Sequence, residues 1–198
     1  MMFRLHTLIA VAAAAVLVAA CGGGDDDARG SVAEATLVTQ ATKAQIDAGT
    51  AASGLQPLSG LARCNVDVRH VVYVTRDPAG APAHASTAVM VPAGTDAACT
   101  GERPVVVYTH GTTTTKSKNM ASSSDSEAQL VLAMYAAQGY IVVAPNYLGY
   151  DRSSLTWHPY LNAEASAIDV VDGLRAAKLH LATLAGGARP SARLLVTG

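Results

Sequence analysis

The sequence predicts an α/β fold with a mainly parallel sheet covered by helices on both faces. Three observations carry this. Short runs of β-branched residues, apolar on both faces, recur at 104–109, 140–145 and 194–197, as strands buried inside a parallel sheet do. Stretches with apolar residues at helical spacing lie between them. The order is hairpin, strand, helix, strand, helix, strand, and strand–helix alternation places parallel strands side by side through crossover helices. With 50% hydrophobic and 15% charged residues in 198, the chain is long and apolar enough for one domain or a large part of one. Fourteen Lys and Arg against 15 Asp and Glu leave no cationic surplus for a phosphate backbone, so no nucleic-acid partner is expected. The six histidines are scattered without metal-ligand spacing. Neither a metal nor a cofactor is expected.

In chain order, Met1 to Ala20 read as an export signal: Arg4, then an apolar run from Leu8 to Ala20. The run ends in Val18-Ala19-Ala20-Cys21, which resembles a bacterial lipobox. That resemblance implies that Cys21 is lipidated and becomes the mature N-terminus. Gly22 in place of Asp favours the outer membrane, with secretion the other destination. Residues 21–30, with Gly22-Gly23-Gly24-Asp25-Asp26-Asp27, read as a flexible tether. The folded part is expected over 31–198.

Ser31 to Glu34 and Thr42 to Gln45 both have the capping-box pattern; the second predicts a short helix through Ala48, stopped by Gly49. Alternating residues predict a strand over 64–76. Asp77-Pro78-Ala79-Gly80-Ala81-Pro82 is a turn, and a return strand spans 84–91. This antiparallel hairpin is expected at one edge of the sheet. It brings Cys64 near Cys99, and an exported protein meets an oxidising compartment, so the two are expected to form a disulfide. The 104–109 strand leads into a polar loop from Gly111 to about Ser122. A capping box at Ser124–Glu127 opens a helix with Leu130, Val131, Met134 and Ala137 on its apolar face and Gly139 just past its end. After the 140–145 strand, a long helix over 162–184 presents Ala163, Ala167, Val170, Val171, Leu174, Ala177, Leu181 and Leu184. The expected core is Val105, Val106, Val107, Ile141, Val142, Val143, Leu194, Leu195 and Val196.

Three segments carry chemistry. Tyr108-Thr109-His110-Gly111-Thr112 ends one buried strand. Asn146-Tyr147-Leu148-Gly149-Tyr150-Asp151-Arg152-Ser153 follows the next, and Trp157-His158-Pro159-Tyr160-Leu161 precedes the long helix. Together with Leu194-Leu195-Val196-Thr197-Gly198, these resemble the α/β-hydrolase family, in particular bacterial secreted lipases and esterases. The resemblance covers most of 64–198. It implies the N-terminal part of that fold and a serine ester hydrolase that needs no cofactor. The backbone N–H of Thr112 would supply half of the oxyanion hole, with Gly111 allowing close backbone approach and His110 orienting the loop. Tyr147, Trp157 and Tyr160 would line the substrate pocket, the substrate being a small-molecule or lipid ester. Two residues depart from the family's Asp-x-x-Gly-x-Gly-x-Ser pattern: Asn146 stands for Asp, and Asp151 lies where a glycine often falls. Gly198 would open the Gly-x-Ser-x-Gly turn. The Ser nucleophile, Asp and His are then expected beyond Gly198, and the given chain alone is expected to be inactive. Two other readings remain open: a non-catalytic envelope lipoprotein that uses such a fold for binding, and a dinucleotide-binding domain whose glycine loop begins at Gly198. Acyl chain length, ester against amide cleavage and oligomeric state are not legible.

Overall fold

A computed structural model describes residues 28–198. The signal segment, Cys21 and most of the tether lie outside the described residues. Arg29 and Gly30, the last residues assigned to the tether, are bonded into the fold: Arg29 Nε lies 2.9 Å from Asp172 Oδ2, and Gly30 donates its N–H to Val74 O.

Six strands form one sheet: β1 (Val32–Ala41), β2 (Asn65–Arg76), β3 (Pro82–Ala93), β4 (Gly101–Tyr108), β5 (Ile141–Pro145) and β6 (Ala188–Thr197), in the order β1-β2-β3-β5-β4-β6. The first three are antiparallel, β3 pairs antiparallel with β5, and β4 runs parallel to both β5 and β6. The expected hairpin is therefore β2–β3, but it does not form the edge, because β1 covers β2. Helix α1 (Lys43–Ser53) and the single turn α2 (Gln56–Ser59) link β1 to β2. Helix α3 (Ser126–Met134) follows β4, and α4 (Ala163–Ala182) follows β5.

Alternation along the strands divides the core into two layers. Val106 and Val142 pack with Ala128, Val131 and Leu132 of α3, whereas Val105, Val107, Ile141 and Val143 pack with Ala176, Ala177 and Leu181 of α4. The two helices thus cover opposite faces, which is why β4 and β5 read as apolar throughout. Cys64 and Cys99 form the expected disulfide, with Cα atoms 5.5 Å apart.

Several expectations are corrected. Ser31–Glu34 is not a helix start; it enters β1, whose residues are mostly exposed and which is held by its pairing with β2. Helix α1 passes through Gly49 and ends at Gly54, which takes the left-handed conformation at φ 71°. The cap of α3 is Asp125, which accepts from Ala128 N, and not Ser124. The face of α4 is rotated from the aliphatic stripe. Val171 is 44% exposed, while Asp169 and Asp172 are fully buried. Each carboxylate has donors waiting: Tyr73 and the Leu148 amide for Asp169, and Arg29, Thr75 and Arg175 for Asp172. Leu194, Leu195 and Val196 are not core; they are 45%, 42% and 68% exposed. Their strand is the sheet edge, paired only with β4 among the described strands, and α4 reaches only its start, where Ala188 is buried.

Candidate active site

The strand order reverses at β4: the chain passes to one neighbour through α3 and reaches the other after α4. Ligand crevices of such sheets open outside the carboxyl ends of the strands at this switch point. There the structure places His110, Gly111 and Thr112 after β4, and Asn146 to Asp151 after β5.

His110 is 6% exposed. Its ring nitrogens face Gly111 O at 2.9 Å and Asn146 O at 3.2 Å, and its ring lies 4.5 Å from that of Tyr147. Both nitrogens face backbone oxygens, to one of which a neutral ring donates, so the ring bridges the two loops. Gly111 donates its N–H to Glu127 Oε1 at 3.0 Å; the same oxygen accepts from the Tyr108 hydroxyl at 2.9 Å, and Glu127 Oε2 accepts from Lys118 Nζ at 2.7 Å. Burial pushes the Glu127 carboxyl up, but these three donors outweigh it and hold the carboxyl below its ordinary value. Burial, followed by the bond to Glu127, pushes the Tyr108 hydroxyl up to about 12. Lys118 is also fixed by Asp125 at 2.9 Å. This clamp fixes the start of the loop and uses up the Gly111 N–H. Thr112 is exposed, and its N–H takes no hydrogen bond among the described residues. A Cβ at Gly111 would meet only Glu127 Oε1, at 3.9 Å, so no described residue demands glycine there.

The two departures from the family pattern form one hydrogen-bonded unit. Asn146 is fully buried; its Oδ1 accepts from Met120 N at 2.7 Å and its Nδ2 donates to Ser86 Oγ at 3.0 Å. Ser86 in turn donates to Asp151 Oδ2 at 2.7 Å, and His70 Nε2 lies 2.6 Å from that same oxygen. Burial pushes the Asp151 carboxyl up, but the bonds from His70 and Ser86 hold it below its ordinary value. Asp151 takes φ 46°, the left-handed region that a glycine would adopt without strain. Its three side-chain partners, Asn119 being the third at 3.2 Å, offset that strain. Aspartate sits between serine and histidine here, so His70 does not reach Ser86. No hydrogen bond joins a serine hydroxyl to a histidine ring among the described residues.

Of the expected lining residues, Trp157 and Tyr160 share one open cavity of about 580 Å³ with Thr112. Thr112, Tyr147 and Tyr160 share an adjoining cavity of about 190 Å³, which Gly111 and His110 also line. Sequence reasoning missed Glu127, Lys118, Tyr150, His158 and Lys116. The last holds the cavity walls together by donating to Gly149 O and to Leu155 O. Gly149, at φ 89°, lies directly against the 157–158 backbone: an added Cβ would come within 2.3 Å of Trp157 O.

No sequence-family profile and no curated protein matches the chain. Solved structures do. The rice cell wall degrading esterase LipA from Xanthomonas oryzae is 31% identical with a TM-score of 0.71, the match covering 85% of this chain and 42% of that one. A ligand-bound form of LipA gives 30% and 0.72 over the same shares. A protein from Legionella pneumophila gives 25% and 0.70, covering 83% of this chain and 43% of that one. The chain thus has an α/β-hydrolase fold of the lipase and esterase kind, and it spans less than half the length of these neighbours.

Proposed function

We propose that the protein carrying this chain is a serine carboxylic-ester hydrolase, and that the chain supplies the oxyanion-loop half of its site. The observation that carries this reading is the Thr112 N–H. Thr112 is exposed at the switch point and its N–H has no partner among the described residues; its loop is clamped through Gly111, beside a cavity wide enough for a small ester. In the reaction, a serine oxygen supplied from outside these 198 residues attacks the ester carbonyl while a histidine takes its proton. The Thr112 N–H then donates to the developing oxyanion. We further propose export through residues 1–20 and a lipid anchor at Cys21, which puts this activity at the cell envelope. Mass spectrometry of membrane-extracted protein would find the lipid on Cys21; an unmodified thiol there ends that part of the proposal.

The test of the reaction uses the full-length gene product, a p-nitrophenyl ester series and a fluorophosphonate serine probe. Thr112→Pro deletes the donor, so kcat is expected to fall on the order of 10²–10³-fold. Thr112→Ala keeps the N–H and should keep the activity. Equal activity of the proline variant and the wild type, or the absence of serine-reagent-sensitive hydrolysis, overturns the reading.

A further inference from the structure

We infer, resting on the hydrolase reading above, that the ester recognised at this site carries an aryl ring, which stacks in the aromatic cavity beside Thr112.

A ladder of rings runs outward from the oxyanion loop. His110 and Tyr147 lie 4.5 Å apart between centroids, Tyr147 and His158 5.8 Å, Tyr150 and His158 4.7 Å, and His158 and Tyr160 6.3 Å. All fall in the range of favourable ring pairing. The ladder is fixed in advance. His158 Nδ1 lies 2.7 Å from Leu148 O, and the Tyr150 hydroxyl donates to Thr113 O. Gly149 allows the chain carrying Trp157 and His158 to lie directly on the 149 backbone. The outermost rings are free to take a partner: Trp157 is 58% exposed and Tyr160 61%.

The composition of the cavity walls selects the ligand. Among the described residues no Ala, Val, Ile, Leu or Met lines the larger cavity, and Leu161 is the one that lines the smaller. A straight alkyl chain gains mainly from contact area against apolar walls. It gains less where the walls are aromatic rings and hydroxyls. A sugar ring also stacks on aromatics, but among the described residues no Asp, Glu, Asn, Gln or Arg lines either cavity to bind its hydroxyls in pairs, and the Lys116 ammonium is already bonded to two carbonyls. An aryl ring can pair with these rings, while Thr112, Thr114 and Thr156 are exposed and keep their hydroxyls in water. The volume of about 580 Å³ lies within the range of roughly 300–1,000 Å³ usual for small-molecule sites. With the ester carbonyl at the Thr112 N–H, the ring would lie among Tyr150, Trp157 and Tyr160.

Trp157 is the only tryptophan of the chain, so its fluorescence reports on this cavity directly and without turnover. The chain is titrated with methyl 3-phenylpropanoate, methyl hexanoate and methyl glucoside. Saturable quenching or enhancement is expected with the phenyl ester, at least 5-fold tighter than with either of the others. Tyr160→Leu, at an exposed position that leaves the fold intact, should weaken phenyl-ester binding on the order of 2- to 10-fold, the equivalent of one lost ring pair. It should not weaken hexanoate binding. Equal or tighter binding of hexanoate or glucoside overturns the inference, as does the absence of saturable binding by the phenyl ester. Failure of the hydrolase reading looks different: the phenyl ester binds at Trp157, yet the full-length protein does not cleave it.

Discussion

Glu127 is the joint on which the proposed oxyanion loop turns, and replacing it gives a graded prediction. Glu127→Ala removes three hydrogen bonds together: those from the Gly111 N–H at 3.0 Å, the Tyr108 hydroxyl at 2.9 Å and the Lys118 ammonium at 2.7 Å. All three run to an ionised, partly exposed carboxylate; at the lower end of the charge-assisted range, about 1.5 kcal/mol each, the sum is about 4.5 kcal/mol. Lys118 keeps Asp125 as a partner, which lowers the expectation to about 3 kcal/mol, or a Tm drop of roughly 6–12 °C for a chain of this size. Glu127→Gln retains an oxygen for Gly111 and Tyr108 and loses only the ion pair, so it should cost about 1.5–2 kcal/mol. The carboxyl is held below its ordinary value in the folded protein. Its contribution is therefore fully present above the unfolded value and disappears as the pH falls through the folded one. Urea unfolding at neutral pH gives the energies, and amide exchange at Gly111 gives the loop. Exchange there should quicken most in the alanine variant. An alanine variant within 1 kcal/mol of wild type, with Gly111 still protected, would show that something other than Glu127 holds the loop.

Two further perturbations test the scaffold. Replacing Cys64 and Cys99 by alanine opens a loop spanning 35 positions. The chain-entropy account gives a loss of about 4 kcal/mol, or a Tm lower by roughly 8–16 °C; a loss below about 1 kcal/mol would mean that the unfolded chain is already restrained there. Asp169 is expected to make stability fall with rising pH. Burial raises its carboxyl to about 7 against the pull of Tyr73 and the Leu148 amide, so the folded protein holds a proton that the unfolded chain releases from about pH 4 upward. Stability from this group is fully present below that value and is lost as the pH rises through about 7. Asp169→Asn lacks that slope, so its urea midpoint should improve relative to wild type between pH 4 and 8; a constant difference across that range refutes the argument.

What the sequence revealed, and what it hid, follows from where each residue finds its partner. Strands β4 and β5 were legible because both faces are buried, which writes the pattern into every residue. Strand β1 was not: most of its side chains face solvent, its pairing is through the backbone, and Ser31-Val32-Ala33-Glu34 imitates a helix cap. For α4 the aliphatic stripe was right in part: Val170, Leu174, Ala177, Leu181 and Leu184 pack on the core, whereas Ala163, Ala167 and Val171 are exposed. The helix buries Asp169 and Asp172, whose partners Tyr73 and Thr75 lie 96 and 97 residues earlier, beyond any local periodicity. The same limit applies at the site. His110-Gly111-Thr112 is local and could be read. Glu127 and Lys118 sit in a polar stretch whose charges look like solvated surface until the fold brings them beneath Gly111. The Asn146–Asp151 pair shows why matching a motif residue by residue misleads. Taken singly, each is a loss: a missing carboxylate at one position and a strained side chain at the other. Between them lies the Ser86 hydroxyl, which has one proton to give. Two carboxylates facing it would compete for that proton and repel each other. An amide on one side and a carboxylate on the other satisfy donor and acceptor alike, so the carboxylate at 151 is what makes the amide at 146 a fit.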